Sequence, residues 1–404
     1  MNKISVLLCS TTLLISSAFA DSSINICNRY AVGDSIATAV KAPSCEAVSV
    51  AAMASLTELY VYEQGVIYGG FSDDAFQGLP NLKTLAFVHP TISNFPANLL
   101  QGLTNLTEFD IIISEDAEDG HIPDLPTDLF QGLANLSRIS LNGTGIKSLP
   151  PGLFQGLTNL SVLDLSGNEI VSLPEGIFQD LTNLSELNLG ENLISTLPEN
   201  LFQGLTSLSS LDLSELNKKF DQPLILPPGV FRGLVKLSQL NLSSQSDGEF
   251  SPGCSLSRFD SLPEGLFQGL TNLTTLNLGG YGFKDPAVSE FQNLPSLTEL
   301  NLGDNCISNP TKEMFHGLGG LTYLSLSNTS LGTLGLPSDL FQELKSLAEL
   351  HLEANLIKSI PNGEFQGVSN LSSLFIDGPL RISISAAGLS PSIKVQGEDI
   401  TLEP

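Results

Sequence analysis

The sequence is short of positive charge. Seventeen Lys and Arg residues stand against forty-three Asp and Glu in 404 residues, a formal net charge of −26. Such a chain repels nucleic-acid phosphates and anionic lipid and favours cationic partners or divalent ions, although the plainer reading is that the charge serves solubility. Long apolar runs are also scarce. Beyond the first twenty residues no segment approaches the roughly eighteen consecutive apolar residues of a membrane-spanning helix, so membrane insertion is not expected. Histidine is limited to His89, His121, His316 and His351, at scattered places. The chain has no nucleophile elbow, phosphate-cradling loop, zinc-binding histidine pair or base beside a reactive cysteine. Acid pairs abound, but acids on an open surface lack the closed pocket that shifts a carboxyl pKa for acid–base work. An enzyme is therefore not expected, nor a cofactor. A glycosidase is the least implausible catalytic alternative, and it would need a deep cleft with two facing carboxylates.

Cysteine is sparse as well, with five residues, the first inside the N-terminal segment. That segment, MNKISVLLCSTTLLISSAFA, has Lys3, an apolar run from Ile4 to Ile15 and small residues at Ala18 and Ala20, the layout of a secretory signal cleaved after Ala20. Leu8 before Cys9 lacks the small residues of a lipoprotein cleavage site. The mature chain is expected to be soluble and secreted, periplasmic or at the cell surface. Cys27, Cys45, Cys254 and Cys306 then remain, enough for two disulfides in an oxidising compartment. Cys27 with Cys45 is the favoured pair; Cys254 with Cys306 could form a second, or both could stay thiols.

What the chain has in abundance is repetition. LTNLSVLDLSGNEIVSLPEGIFQD (157–180) is followed by LTNLSELNLGENLISTLPENLFQG (181–204) on the same framework. The first leucine of each L-x-x-L-x-L core is Leu56, Leu82, Leu106, Leu136, Leu160, Leu184, Leu208, Leu237, Leu273, Leu297, Leu321, Leu347 and Leu371, thirteen units. Most spacings are 24 or 26, and outliers of 30, 29 and 36 mark insertions. In the unit starting at Leu160, Leu163 and Leu165 alternate with Val162, Asp164 and Ser166, which predicts a short strand with leucines inward and polar residues outward. Stacked at about 4.8 Å, such strands form a parallel sheet roughly 60 Å long. Asn168 falls where the chain turns inward, and its amide can satisfy backbone groups of the buried turn. The same place holds Asn192, Asn305 and Asn355, but Thr144, Gln245 and Thr329 in other units and Pro90, Leu216 and Tyr281 in others still. Phenylalanine recurs at the outer position as Phe76, Phe130, Phe154, Phe178, Phe202, Phe231, Phe267, Phe291, Phe315, Phe341 and Phe365, interrupted by Leu100. These rings are structural by default. Because the outer segment is bulkier than a strand, the coil should bend with its sheet on the concave side.

The pattern L-x-x-L-x-L-x-x-N-x-I-x-x-L-P-x-x-x-F-x-x-L resembles the leucine-rich-repeat family, in the 24-residue form of Toll-like receptors and small extracellular proteoglycans. The resemblance covers about four fifths of the chain. It implies an α/β repeat solenoid, a horseshoe with a concave parallel sheet of about thirteen strands. The expected divisions are a signal peptide at 1–20, an N-terminal cap at 21–55, the solenoid at 56–378 and a C-terminal cap at 379–404. Val32, Ile36 and Val40 at helical spacing, bracketed by Cys27 and Cys45, predict a disulfide-stapled helical cap. It resembles the cap of bacterial secreted members and lacks the four-cysteine cap of animal ones. Alternation of Leu380, Ile382 and Ile384, then Ile393 and Val395, predicts one or two edge strands that close the sheet. N-x-S/T sequons at Asn105, Asn135, Asn159, Asn183, Asn272 and Asn370 follow from the repeat itself, and would carry glycans only in a eukaryote.

The expected function is a non-catalytic secreted scaffold that binds a protein or peptide, with a surface or matrix adhesion role as the alternative. Position five of each unit lies mid-strand on the open face and reads Tyr60, Ala86, Asp110, Ser140, Asp164, Asn188, Asp212, Asn241, Asn277, Asn301, Ser325, His351 and Phe375. Glu58, Glu63, Glu108, Glu186, Glu191, Glu215, Glu299, Asp304, Glu349 and Glu353 flank it, so the face should be strongly negative and suit a basic guest rather than nucleic acid. The bland alternative is a row of solvated strand residues. Candidate contacts are Asp110, Asp164, Glu186, Asp212, Glu299 and Asn301, with an aromatic anchor at Tyr323, His351 and Phe375. Tyr60 and Tyr62 could form a second anchor or pack under the cap. A second candidate surface is the set of insertions at 113–124, 214–226 and 243–259, where Lys218, Lys219, Phe220 and Phe250 stand out. The acidic insertion lacks the spacing of a known calcium loop, and His351 with Glu349, Glu353 and Asp377 is read as a lone exposed histidine before a metal set.

Overall fold

The structure, a computed structural model, describes residues 31–62, 71–72, 74–88, 95–113, 122, 124–216, 224–244, 262–280, 284, 291–307, 310–332 and 336–403. Each unit contributes one strand: β1 (Glu58–Tyr62), β2 (Thr84–Val88), β3 (Glu108–Ile112), β4 (Arg138–Ser140), β5 (Val162–Asp164), β6 (Glu186–Asn188), β7 (Ser210–Asp212), β8 (Gln239–Asn241), β9 (Thr275–Asn277), β10 (Glu299–Asn301), β11 (Tyr323–Ser325), β12 (Glu349–His351) and β13 (Ser373–Phe375). All pair in parallel in sequence order, the geometry of a leucine-rich-repeat horseshoe with its sheet on the concave side. The strands are short because only the L-x-L segment alternates; in β5, β6 and β7 the middle leucine is buried while its neighbours face out.

Each coil is tied to the one before it at three levels. At the strand entrance the N–H groups of Ser161 and Val162 both donate to the Ser137 carbonyl, at 2.9 and 3.1 Å, and the Ser161 hydroxyl adds a third bond at 2.9 Å. On the inner turn the Asn192 amide donates to the carbonyls of Leu165, Leu189 and Gly190, while its oxygen accepts from Ile170 N–H. Asn168 does the same with Leu141, Leu165 and Ser166, as the sequence predicts. Thr144 and Thr329 fill the same place in part, each donating one hydroxyl to its own coil and to the next asparagine's oxygen. On the outer side the phenylalanines stack, for example Phe231 on Phe267 with centroids 6.5 Å apart and Phe341 on Phe365 at 5.9 Å. Where Leu100 interrupts that column, the interior volume is filled from the sheet instead. Phe87 and Phe109, on β2 and β3, pack edge to face at 5.8 Å, and Phe109 meets Phe130 at 5.3 Å.

The two ends differ. Helix α1 (Ala31–Ala39) lays Val32 and Ile36 against β1, with both side chains fully buried, and α2 (Val50–Ala54) follows, its N-terminus capped by the Ser49 hydroxyl accepting from Ala52 N–H. Cys45 is buried beside them; Cys27 lies outside the described residues. At the other end the tail makes one further turn of the coil. β14 (Leu380–Ser383) leaves the main sheet and pairs with β16 (Ile400–Glu403), α3 (Ile384–Ala387) intervenes, and β15 (Lys394–Gln396) joins β13 as the fourteenth strand of the main sheet. Val395 thus closes the sheet, but Leu380 and Ile382, expected in the same edge, are buried in a separate two-stranded sheet.

Candidate interface on the concave sheet

The register sets the position-five residues side by side in one unbroken line, from Tyr60 opposite Ala86 to Phe375 opposite Gln396. In the middle coils most of this row is already engaged. Asp164 Oδ1 accepts from Ser166 N–H at 3.0 Å and from the Ser166 hydroxyl at 2.6 Å, and Asp212 does the same with Ser214 at 2.8 and 2.6 Å. Asn188, Asn241, Asn277 and Asn301 each accept from the N–H two residues on, and Asn241 donates to the second oxygen of Asp212 at 3.2 Å. These side chains end the strand by mimicking a backbone turn. Asp164, Asp212 and Asn301 are therefore half-buried turn formers as well as face residues. The signal was present in the sequence as the triplet Asp/Asn-Leu-Ser/Gly, repeated six times from Asp164 to Gly303.

The outward acids sit two residues earlier in the strand. Glu58, Glu186 and Glu299 are exposed there; Glu191 and Asp304 lie beyond the strand, exposed in the turn. The row is not uniformly negative. Arg138 stands on β4 and its Nε lies 3.4 Å from Asp110 Oδ1, in register with Glu108. Burial raises the Asp110 pKa, and the Arg138 charge pulls against that rise. Near the first coils Tyr60 and Tyr62 are exposed, at 41% and 58%, and do not pack under the cap; their inward neighbours Leu59 and Val61 do that work. Ile112, 45% exposed, is in line with Tyr62 through Val88.

A group of outward side chains packs together on β11 to β13. The His351 ring lies flat on Phe375, with centroids 4.2 Å apart and planes 4° from parallel, and Tyr323 closes one side at 5.2 Å. His351 Nε2 is 2.8 Å from Glu349 Oε1, and Nδ1 is 2.8 Å from Glu353 Oε1. Burial acts to lower the histidine pKa, but the hydrogen bonds and charges of the two glutamates together outweigh it, and the net shift is upward. Burial and the charges of Glu349, Glu353 and Glu299 raise Tyr323. Asp377, on the next coil, is turned away to accept from Ala354 N–H at 2.7 Å. Tyr323, His351 and Phe375, singled out in the sequence, are thus one cluster; the two glutamates that clamp the ring complete it.

Lys218, Lys219, Phe220, Phe250 and Cys254 lie outside the described residues, as does most of the acidic insertion. Cys306 sits half-buried in an isolated parallel bridge with Lys284. Among the described residues no group of three or more His, Cys, Asp and Glu side chains is arranged to hold a metal ion, and no helix is long and apolar enough to cross a membrane.

Stacked parallel strands, the buried asparagine turns and the phenylalanine column define a leucine-rich-repeat solenoid. Four segments, 118–170, 158–218, 287–331 and 332–378, match the family described as Leucine rich repeat, and the chain is a leucine-rich-repeat protein. Its fold is similar to that of an internalin (inlF) from Listeria monocytogenes, at 20% identity and a TM-score of 0.63 over 95% of this chain and 99% of that one. It is also similar to a chain of the Drosophila Toll–Spatzle complex, at 23% identity and a TM-score of 0.70, covering 85% of this chain and 44% of that one. The TLR13–ssRNA13 complex matches at 25% identity and a TM-score of 0.64, covering 94% of this chain and 57% of that one. No curated protein matches the sequence.

Proposed function

We propose that the protein is a secreted, non-catalytic scaffold that holds a protein or peptide partner against its concave sheet. The observation that carries this reading is the β11–β13 cluster, where aromatic rings and carboxylates share one open surface. Aromatic anchors beside charged groups are what interface hot spots are made of. The net charge of −26 favours a basic partner. A solved relative in fold is a complex with the protein Spatzle, which supports a protein partner; another is a complex with single-stranded RNA, against which the charge of this chain argues. Residues 1–20 have the layout of an export signal, and Cys27 with Cys45 would staple the first cap outside the cytoplasm. The edge insertions lie mostly outside the described residues.

The test is capture of proteins from the surrounding medium by the chain from Asp21 onward, with a single-stranded RNA arm alongside. Reversal of the exposed acids Glu58, Glu186 and Glu299 to lysine should release a basic partner, as should raised salt. These positions are better probes than Asp164 and Asp212, whose loss would also break turns. Capture of RNA but no protein, or capture of protein indifferent to all three reversals, would reject the reading.

A further inference from the structure

The two nitrogens of His351 each face a carboxylate oxygen at 2.8 Å. When both carboxylates are ionised they can only accept, so both nitrogens donate and the ring is held in its imidazolium form. A flat cation is thus forked between two carboxylates and stacked on the Phe375 ring at 4.2 Å. Those are the contacts a guanidinium makes best, being planar, weakly hydrated and supplied with five donors.

We propose that the Tyr323–His351–Phe375 cluster is a docking pocket for an arginine side chain of a basic peptide, with the His351 imidazolium as its internal occupant in the absence of that partner. This rests on the reading of the concave sheet as a binding face. Charged and titratable groups around the ring are Glu299 and Asp304 from β10 and its turn, Tyr323 from β11, Glu349 and Glu353 from its own coil, Asp377 after β13 and Lys394 on β15. Apart from His351 itself, Lys394 is the one cation of that set, so an arriving guanidinium meets mostly carboxylates. Proton and guest compete for the same two carboxylates. The proton is held more firmly than on an ordinary histidine, so the guest binds more tightly as pH rises and His351 gives it up.

The probe is an end-blocked arginine–glycine peptide, with lysine and glutamate versions beside it, titrated into the chain from Asp21 onward at pH 6 and pH 8.5. Wild type should bind the arginine peptide several-fold more tightly at pH 8.5 than at pH 6, and prefer it over lysine. His351→Gln should bind at both pH values as wild type does at pH 8.5, which also separates the effect from any other group that titrates in this window. Glu353→Gln and Phe375→Ala should each lose the arginine preference, with unchanged melting temperature as proof of folding. Equal affinity at both pH values, weaker binding by His351→Gln, or preference for the glutamate peptide overturns the pocket. If the pocket fails while reversal of Glu58, Glu186 and Glu299 still releases a captured partner, the binding face stands without it; if neither responds, both fall.

Discussion

The middle coils and the coils of β12 and β13 carry the same row of outward residues and use it in opposite ways. From β5 to β10 the row is Asp or Asn, and each side chain folds back onto the N–H two residues later. On β12 and β13 the row is His351 and Phe375, which bond to side chains on the open face and leave the turn to other groups. A polar residue on a repeat scaffold is therefore no sign of a binding site until its hydrogen bonds are traced. In the middle, mutation should cost stability; at the end it should cost recognition.

That contrast can be broken in several places, and the largest effect is expected at Asn192. Its side chain is fully buried and satisfies three carbonyls and one N–H, so Asn192→Ala should destabilise the solenoid by about 3 kcal/mol in denaturant unfolding, because those groups are left without partners. An unchanged midpoint would mean that water or a rearranged turn replaces it.

Glu364 comes next and lies on the outer side of the coil. It stands where Leu153, Ile177, Leu201, Leu266 and Leu340 stand in other units, is 1% exposed, and accepts from Asp339 and Leu340 N–H at 3.0 and 3.1 Å. Burial lifts its pKa from 4.5 to about 7, against the pull of those backbone bonds. A carboxyl whose folded pKa is raised contributes stability that is present below the unfolded value and lost as pH rises through the folded one. Stability should accordingly fall between pH 4.5 and about 7 by about 3 kcal/mol from this group, and Glu364→Gln should flatten that slope. A wild-type slope retained in Glu364→Gln would place the titration elsewhere.

Asp212→Ala should cost about 1 kcal/mol through loss of its two turn bonds, while His351→Gln, at the equivalent place, should leave unfolding within about 0.5 kcal/mol of wild type. Equal costs would erase the distinction between the two regions. The smallest effect is at Ala354, which holds φ 53° where Gly143 and Gly167 occupy the same place in other units. Ala354→Gly should gain about 0.5 kcal/mol, the relief of a left-handed alanine less the entropy of a glycine; a loss would show that the turn does not feel the strain.

The repeat made most of this fold legible in advance. Period, strand core, asparagine turn and phenylalanine column are each a one-to-one match between a residue type and a place in the coil. The row at position five was only half legible because its residues answer to two demands, solvent on one side and a turn N–H on the other, and the Ser or Gly two places on marks the second. Leu100 read as a gap in the column, since nothing local shows that Phe87 and Phe109 would fill the interior from the sheet. Glu364 is not distinguishable in the sequence, because a single acid in a leucine position looks like surface drift until its burial is known. The tail alternated as edge strands should, but which sheet each joined was set by one extra turn of the coil. The aromatic cluster was visible as residues two dozen places apart; its glutamate clamp needed the distances.

The most direct test of the claim that the last coils recognise a basic partner is histidine NMR during titration with the arginine–glycine peptide. The four histidines of the chain serve as mutual controls. The His351 ring alone should shift, and its pKa, raised in the free protein, should drop when the peptide binds. A peptide that binds without moving His351, or that shifts all four rings alike, would contradict that claim.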